Sequence, residues 1–335
     1  MIKTVIIAEG GVNHNGSVDV ALKLCDAAKK SGADIIKFQT FRTECNVLKE
    51  CDWVEYQEEN APDFESHFQM LKSLELTDEE FIKVKNYCDM IGIEFLSTPS
   101  DAPSLDLLVK MGLETMKISS SDVTNIPLLR KIGRLNKEVI LSTGMSSLKE
   151  VQMAVDELVK AGTPKDKITL LHCHSDYPTK FEDANLKVML TLKETFGTRV
   201  GLSDHSEGIE LAIAAAAMGA TVIEKHFTLD RKMEGPDQKM STEPDEFAKL
   251  VKSVRIVNIA MGDGVKKVSE AEEEIRRVYG KGIVALKPIT AGEVFTEENI
   301  TVKRPCKGLS VLKWDKVLGK KAKKDFAKDE PIISV

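Results

Sequence analysis

The sequence predicts an α/β fold, a TIM-type (β/α)8 barrel followed by a small C-terminal domain, and three observations predict it. Short β-branched runs alternate with amphipathic stretches about eight times across residues 1–262. The runs are continuously apolar, as strands buried on both faces require. After Met261 the alternation stops: a charged linker is expected at 263–280, and a Gly- and Pro-punctuated apolar unit at 281–335.

The strands are expected at Thr4–Glu9, Asp34–Gln39, Glu94–Thr98, Thr115–Ser119, Glu138–Thr143, Lys167–His172, Arg199–Asp204 and Thr221–His226. Between the first two, Ser17 is a fitting N-cap and Gly32 a C-terminal stop, while Val18, Ala21, Leu22, Cys25 and Ala28 recur at helical spacing. Similar patterns predict helices at 78–91, 101–111, 125–134, 147–161, 185–196, 207–218 and 243–260. An open doubly wound sheet is the alternative, but no G-x-G-x-x-G follows the first strand. The long loop at 40–76, with Trp53, Tyr56, Phe64 and Phe68 among many acids, reads either as a lid or as an insertion packed on the barrel rim or a partner subunit.

Composition narrows the function classes. The chain has 335 residues, 42% hydrophobic and 30% charged, enough for a large core. A formal net charge of −6 gives no field for nucleic acid, and the run Lys320, Lys321, Lys323, Lys324 reads as a solvated face. The apolar stretch Val5–Ala8 is interrupted by Glu9, too short for a secretory core, and nothing approaches a membrane span. Six scattered cysteines without a C-x-x-C pair suggest free thiols, hence a cytoplasmic setting.

Function in such barrels sits at the C-terminal strand ends, and here these ends are polar. They carry Glu9; Lys37 and Gln39; Ser97, Thr98 and Pro99; Lys117 and Ser119–Asp122; Ser142 and Thr143; His172, Cys173 and His174; Ser203, Asp204 and His205; and Glu224, Lys225 and His226. The period of two puts Lys37 with Gln39, Ser203 with His205, and Glu224 with His226 on common faces. Buried charge of this density requires pairing, a metal or a charged ligand. Lys37, Lys117, Ser120, Ser142 and Ser203 suit a phosphate. His205 and His226 could share a divalent ion, with Glu9, Glu224 and Asp237 nearby to favour Mn²⁺ or Zn²⁺. His14, His67 and His172 read as structural hydrogen-bonders, and His174 is open.

These motifs resemble the sialic acid synthase family. The resemblance is carried by Glu9-Gly-Gly-Val-Asn-His-Asn-Gly16, Lys37-Phe-Gln-Thr40, Leu96-Ser-Thr-Pro99, Leu141-Ser-Thr-Gly-Met145, Gly201-Leu-Ser-Asp-His205, Glu224-Lys-His-Phe-Thr228 and Gly235-Pro-Asp237. The tail around Lys303-Arg304-Pro305 is similar to the family's antifreeze-protein-like (SAF) domain. The resemblance implies a barrel plus SAF domain in a domain-swapped homodimer. The implied reaction condenses phosphoenolpyruvate with N-acetylmannosamine or a related 2,4-diacetamido-trideoxy hexose, releasing phosphate. By motif, His205 and His226 would hold the divalent ion, Mn²⁺ first and Mg²⁺ or Co²⁺ as alternatives. Lys37, Thr98, Lys117, Ser120, Ser142 and Ser203 would hold phosphoenolpyruvate; Gln39, Tyr177, Asp237 and Arg304 would meet the sugar; Glu9, Asp122 and Glu224 would serve catalysis. Two departures bear on the sugar: Ser121-Asp122 stands where the family commonly has Gly-Glu, and His174-Ser175-Asp176 precedes Tyr177.

The expected chemistry is attack of the enol carbon on the aldehyde, with water, deprotonated by a carboxylate such as Glu9, adding at the phosphate-bearing carbon. Rival readings are a metal-free Schiff-base aldolase using Lys117 or Lys225, a pseudaminate-type synthase, and a non-catalytic glycan binder working through the tail. No nucleic acid or membrane partner is expected.

Overall fold

The computed structural model describes residues 3–53, 57, 60, 62 and 64–335; Tyr56 of the long loop lies outside them. The chain divides into two compact units, Met1–Asp263 and Gly264–Val335.

Each run of buried β-branched residues in the first unit forms a parallel strand: β1 Val5–Gly11, β2 Ile35–Thr40, β3 Glu94–Pro99, β4 Thr115–Ile118, β5 Glu138–Ser142, β6 Ile168–Cys173, β7 Arg199–Asp204 and β8 Val222–His226. The ladder runs β3-β2-β1-β8-β7-β6-β5-β4, and β3 and β4 pack side by side at its two ends, closing the barrel. Register sets the height of the polar residues. Glu9 pairs with Lys37 on one side and His226 on the other, Gln39 with Thr98, and Ser203 with Glu224. One band of polar side chains therefore rings the C-terminal mouth.

The helices are α1 Val18–Ser31, α2 Thr43–Asn46, α3 His67–Leu74, α4 Asp78–Ile91, α5 Ala102–Lys110, α6 Ile126–Gly133, α7 Leu148–Ala161, α8 Val188–Phe196, α9 Glu210–Ala217 and α10 Pro244–Ala260. The caps are the expected kind. Ser17 Oγ accepts from the Val20 amide, Gly32 closes α1 with φ 86°, and Thr77/Glu80 and Ser147/Glu150 form reciprocal capping boxes for α4 and α7. The main core lies between the sheet and these helices, with Leu24, Ala28, Phe81, Leu105, Leu129, Val155, Leu192 and Phe247 buried against the strands.

The 40–76 segment carries α2 and α3 and builds its own small core from Val12, Phe41, Met70 and Leu74, with Trp53, Phe64 and Leu71 packed on it. It is thus an insertion seated on the barrel rim. Gly16, at φ +68°, shows how close it sits: a Cβ there would lie 2.3 Å from the Ser73 carbonyl oxygen.

The second unit pairs β9 Gly282–Ala285 antiparallel with β10 Ile300–Lys303. Its core is Ile283, Ala285, Ile289, Phe295, Ile300, Val317, Ala322, Phe326 and Ile332, with the short α12 Trp314–Val317 at one side. The segment expected as a plain linker holds a helix, numbered α11, Glu270–Tyr279. Ser269 and Glu272 form its capping box, which is legible as S-x-x-E; Ile275, Val278 and Tyr279 recur at helical spacing on one stripe, but they stay exposed among the described residues.

Candidate active site

The register brings four charged groups into the barrel mouth, all at most 6% exposed. Lys37 Nζ lies 2.8 Å from Glu9 Oε2 and 3.7 Å from Glu224 Oε1, and Lys117 Nζ lies 3.7 Å from the same Glu224 oxygen. The order Glu9, Lys37, Glu224, Lys117 alternates sign, so each charge faces an opposite one. Hydroxyls and an amide complete the network. Lys37 donates to Thr98 Oγ1 at 2.9 Å, Lys117 to Ser142 Oγ at 2.8 Å, Ser203 to Glu224 at 3.3 Å, and Gln39 Nε2 to Glu9 Oε1 at 3.3 Å. An apolar set of equal volume would cost less to bury; this arrangement suits a doubly anionic ligand that exchanges its own oxygens for the carboxylates.

The titrations follow from burial and pairing. Burial pushes the Glu9 carboxyl up to about 7; Lys37 pulls against this and Glu224 adds to it. Burial would lift Glu224 too, but Lys117 and Lys37 hold it below its ordinary value. Burial would depress Lys37, yet Glu224 and Glu9 hold it above the usual lysine value, whereas burial dominates at Lys117 and lowers it. A carboxyl near neutrality beside fixed ammonium groups is the pattern of a base poised for work at neutral pH.

The cavity above this network holds about 430 Å³. Its wall includes Glu9, Lys37, Gln39, Thr98, Lys117, Ser120, Ser142, Tyr177, Ser203, His205, Glu224 and His226, all singled out from the sequence. A recess of about 120 Å³ shares Gln39, Tyr177 and His226 with it and adds Asp237. Burial lifts Asp237 to about 6, with His205 opposing. Its loop is fixed by the first motif: Asn13 Nδ2 donates to the Phe227 carbonyl and to Ser241 Oγ, which bonds the Asp237 carbonyl, and Asn15 Nδ2 donates to the Glu234 carbonyl. Gly144 is needed for close approach: a Cβ would sit 2.2 Å from Ser175 Oγ, and the Gly144 amide donates to Ser120 Oγ at 3.0 Å.

His205 and His226 face each other at a ring-centroid separation of 5.5 Å, with Tyr177 stacked 4.1 Å from His205. His205 Nδ1 donates to the His174 carbonyl at 2.7 Å, which leaves Nε2 as its lone-pair atom. Burial would lower His205, but Cys173, the His174 carbonyl and Glu224 favour a cation there and raise it. Burial, then His205, drives His226 well below its ordinary value, so that ring is neutral, and its Nδ1 is buried without a hydrogen-bond partner. Among the described residues no three His, Cys, Asp or Glu side chains converge as a metal set. Two facing imidazoles are donors of the kind that would hold a divalent ion.

Two expected residues stand apart. Asp122 does not line the cavity: it sits in the turn after β4, its carboxylate taken by Ser119 Oγ at 2.6 Å and Asn125 Nδ2 at 2.9 Å. The shorter Asp side chain is held by its own turn, beside the Ser119–Ser121 wall. Arg304 belongs to the second unit, where its guanidinium lies 4.7 Å above the Tyr279 ring. Lys225 points away from the mouth and is spent on Asp204 at 2.8 Å and the Ser206 carbonyl at 2.7 Å. His172 bonds the Ala184 carbonyl at 2.7 Å, and buried His14 accepts from the Gly16 amide at 3.1 Å, both structural roles as expected.

Sequence reasoning gave no site role to other wall residues: His67, Asn46 and Gln57 from the insertion, and Ser100, Met145 and Cys173 from the strand ends. Cys173 was findable from strand period, since His172 beside it points outward. The insertion residues carry no period that could place them.

Residues 24–266 match the model of the NeuB family, and residues 280–333 match that of the SAF domain. The chain is 46% identical over 332 residues, 99% of each chain, to the N,N'-diacetyllegionaminic acid synthase of Campylobacter jejuni subsp. jejuni serotype O:2. It is 40% identical to the Legionella pneumophila protein of the same name, over 94% of this chain and 89% of that one. The crystal structure of an N-acetylneuraminic acid (sialic acid) synthetase from Leptospira borgpetersenii, in complex with citrate, superimposes with a TM-score of 0.70 at 36% identity, covering 82% of this chain and 90% of that one. With a matching family model over most of its length and relatives aligned nearly end to end, the chain belongs to the NeuB family and carries a SAF domain at its C-terminal end.

Proposed function

We propose that this enzyme is a nonulosonic acid synthase that joins phosphoenolpyruvate to an N-acetylated amino-sugar aldehyde, giving a sialic-acid-type sugar acid and inorganic phosphate. The carrying observation is the buried Glu9–Lys37–Glu224–Lys117 network at the barrel mouth, rimmed by Thr98, Ser120, Ser142 and Ser203.

The phosphate and carboxylate of phosphoenolpyruvate take the ammonium groups of Lys37 and Lys117 and the serine and threonine hydroxyls. The acceptor lies over Gln39, Tyr177 and Asp237. The methylene carbon of the enol attacks the aldehyde carbon, the C=O π pair moves to the aldehyde oxygen, which ends as a hydroxyl with a proton drawn ultimately from the added water, and positive charge develops at the carbon bearing phosphate. Glu224, held ionised, faces that charge. Glu9 takes a proton from the water that adds there, and the tetrahedral adduct breaks its C–O bond to expel phosphate and leave the ketone. A divalent ion, Mn²⁺ first and Mg²⁺ or Co²⁺ as alternatives, would be held by His205 and His226 and would supply Lewis-acid polarisation of the acceptor.

The same reading makes the protein a cytoplasmic homodimer in which Arg304 serves the sugar site of the partner subunit. Among the described residues no helix is long and apolar enough to cross a membrane. The likeness to the two legionaminic acid synthases supports a 2,4-diacetamido-trideoxy acceptor over N-acetylmannosamine. The commitment of Lys225 to Asp204 counts against Lys225 as a Schiff-base lysine, and the Lys117 ammonium is engaged by Ser142 at 2.8 Å and Glu224 at 3.7 Å. Incubation with phosphoenolpyruvate and a panel of amino sugars, with phosphate release and product mass recorded, tests the proposal. Product at the summed mass less phosphate, plus water, supports it; no consumption of phosphoenolpyruvate with any acceptor overturns it.

A further inference from the structure

The recess beside the main cavity has a divided wall. Gln39, Gln57, Tyr177 and Asp237 form its polar side, and its other side is apolar, made by Val12 with Met70, Leu71 and Leu74 of α3. Val12, Met70 and Leu74 form the small core of the insertion, with Leu71 packed against them, so this wall is backed by packing and not free to swing. Gly16 seats α3 directly on the loop after β1, where a side chain would meet the Ser73 carbonyl. His226 stands at the junction with the main cavity.

We infer that this recess selects the acceptor by a methyl-bearing substituent, which packs on Val12, Leu71 and Leu74 while neighbouring polar atoms of the sugar bond the opposite side. The inference rests on the synthase reading above. A hydroxyl in that place would lose water against an apolar wall with no partner, and a longer chain would meet a backed surface. Two parts of an amino sugar offer such a methyl: the end of an N-acetyl group, and carbon 6 of a 6-deoxy sugar. The insertion thereby sets acceptor choice while the barrel strands supply the chemistry.

The test uses the full-length enzyme with its divalent ion, and compares kcat/KM for paired acceptors. One pair differs only in N-acetyl against N-propanoyl, the other only in 6-deoxy against 6-hydroxy. The Leu74→Ala variant enlarges the recess, and Val12→Thr makes its wall polar at nearly constant volume. One methylene in an apolar pocket is worth about tenfold or more in discrimination. If the N-acyl methyl occupies the recess, Leu74→Ala should shift the propanoyl-to-acetyl preference by about tenfold and leave the 6-position preference alone. If carbon 6 occupies it, Val12→Thr should erode the preference for the 6-deoxy sugar and leave the N-acyl preference alone. In either case the KM for phosphoenolpyruvate should hold. Unchanged ratios in both pairs, in whichever variant keeps the wild-type circular dichroism, overturn the inference while leaving the synthase reading intact. Failure of the unmodified enzyme to consume phosphoenolpyruvate with any acceptor defeats the synthase reading itself and the inference with it.

Discussion

Replacing Glu9 by Gln separates the chemistry of the network from its stability. The amide keeps the shape of the carboxylate and an oxygen that can accept from Lys37, but it cannot take a proton from water. Loss of a general base costs about 10²–10⁴-fold in kcat, or roughly 3–5 kcal/mol of barrier. Stability moves through two opposed effects. Truncating a buried ion pair costs about 3–5 kcal/mol when its partner is left alone, but Lys37 keeps Glu224 at 3.7 Å and Thr98 at 2.9 Å. In the other direction, Glu9 has a folded value of about 7 against an ordinary 4.5. The folded state therefore binds the extra proton between these limits, and the native enzyme loses stability as pH rises from 4.5 towards 7, by roughly 3 kcal/mol in all. The amide never ionises, so it escapes that loss. The folded value of about 7 already includes the pull of Lys37, and Lys37 keeps its other partners, so above pH 7 the variant should melt no lower than the native protein. Steady-state phosphate release should show the fall in kcat, with the KM for phosphoenolpyruvate changed only a few-fold. The acid limb of kcat/KM near pH 7, where Glu9 becomes protonated and idle, should vanish in the variant. A near-normal rate, or an acid limb that survives the substitution, refutes Glu9 as the base.

Chelation should abolish phosphate release, Mn²⁺ should restore it, and His226→Ala should bind Mn²⁺ more weakly by calorimetry; full turnover in verified metal-free protein would rule out the ion. Arg304→Ala should raise the KM of the acceptor far more than that of phosphoenolpyruvate. Mixing Arg304→Ala with His226→Ala chains should regenerate one intact site per mixed dimer, and no recovered activity after confirmed subunit exchange argues against action across the interface. Lys225→Met strands Asp204 without its ammonium partner, so denaturant unfolding should show a loss of about 3–5 kcal/mol. Borohydride with substrate should leave no covalent adduct on the native enzyme, and a labelled Lys225 or Lys117 would revive the Schiff-base route.

The barrel was legible because its strands are buried on both faces, and that demand writes itself into local runs such as Ile35-Ile36 and Val222-Ile223. Caps at Ser17, Thr77 and Ser147 are equally local, since a helix end is satisfied by residues within one turn. The site was legible for a related reason: strand period and the polar strand ends already aim Lys37, Gln39, Glu224 and His226 at one mouth. What the sequence could not supply was which polar groups pair. Asp122 and Glu9 read alike as acids at strand ends, yet one is taken by Ser119 and Asn125 and the other meets Lys37 across a ladder. Lys225 and Lys117 differ in the same way, one turned to Asp204 and the other to Ser142. His67 and Gln57 reach the cavity from an insertion without period, placed there by the packing of Met70 and Leu74 on Val12. Side-chain direction along a strand is set by neighbours in sequence, so the sequence determined it. Partnership, with Asp122 and its own turn as the exception, is set by groups on other strands, 21 residues away for Lys225 and Asp204 and 61 for Lys37 and Thr98, whose distances exist only once the barrel has closed.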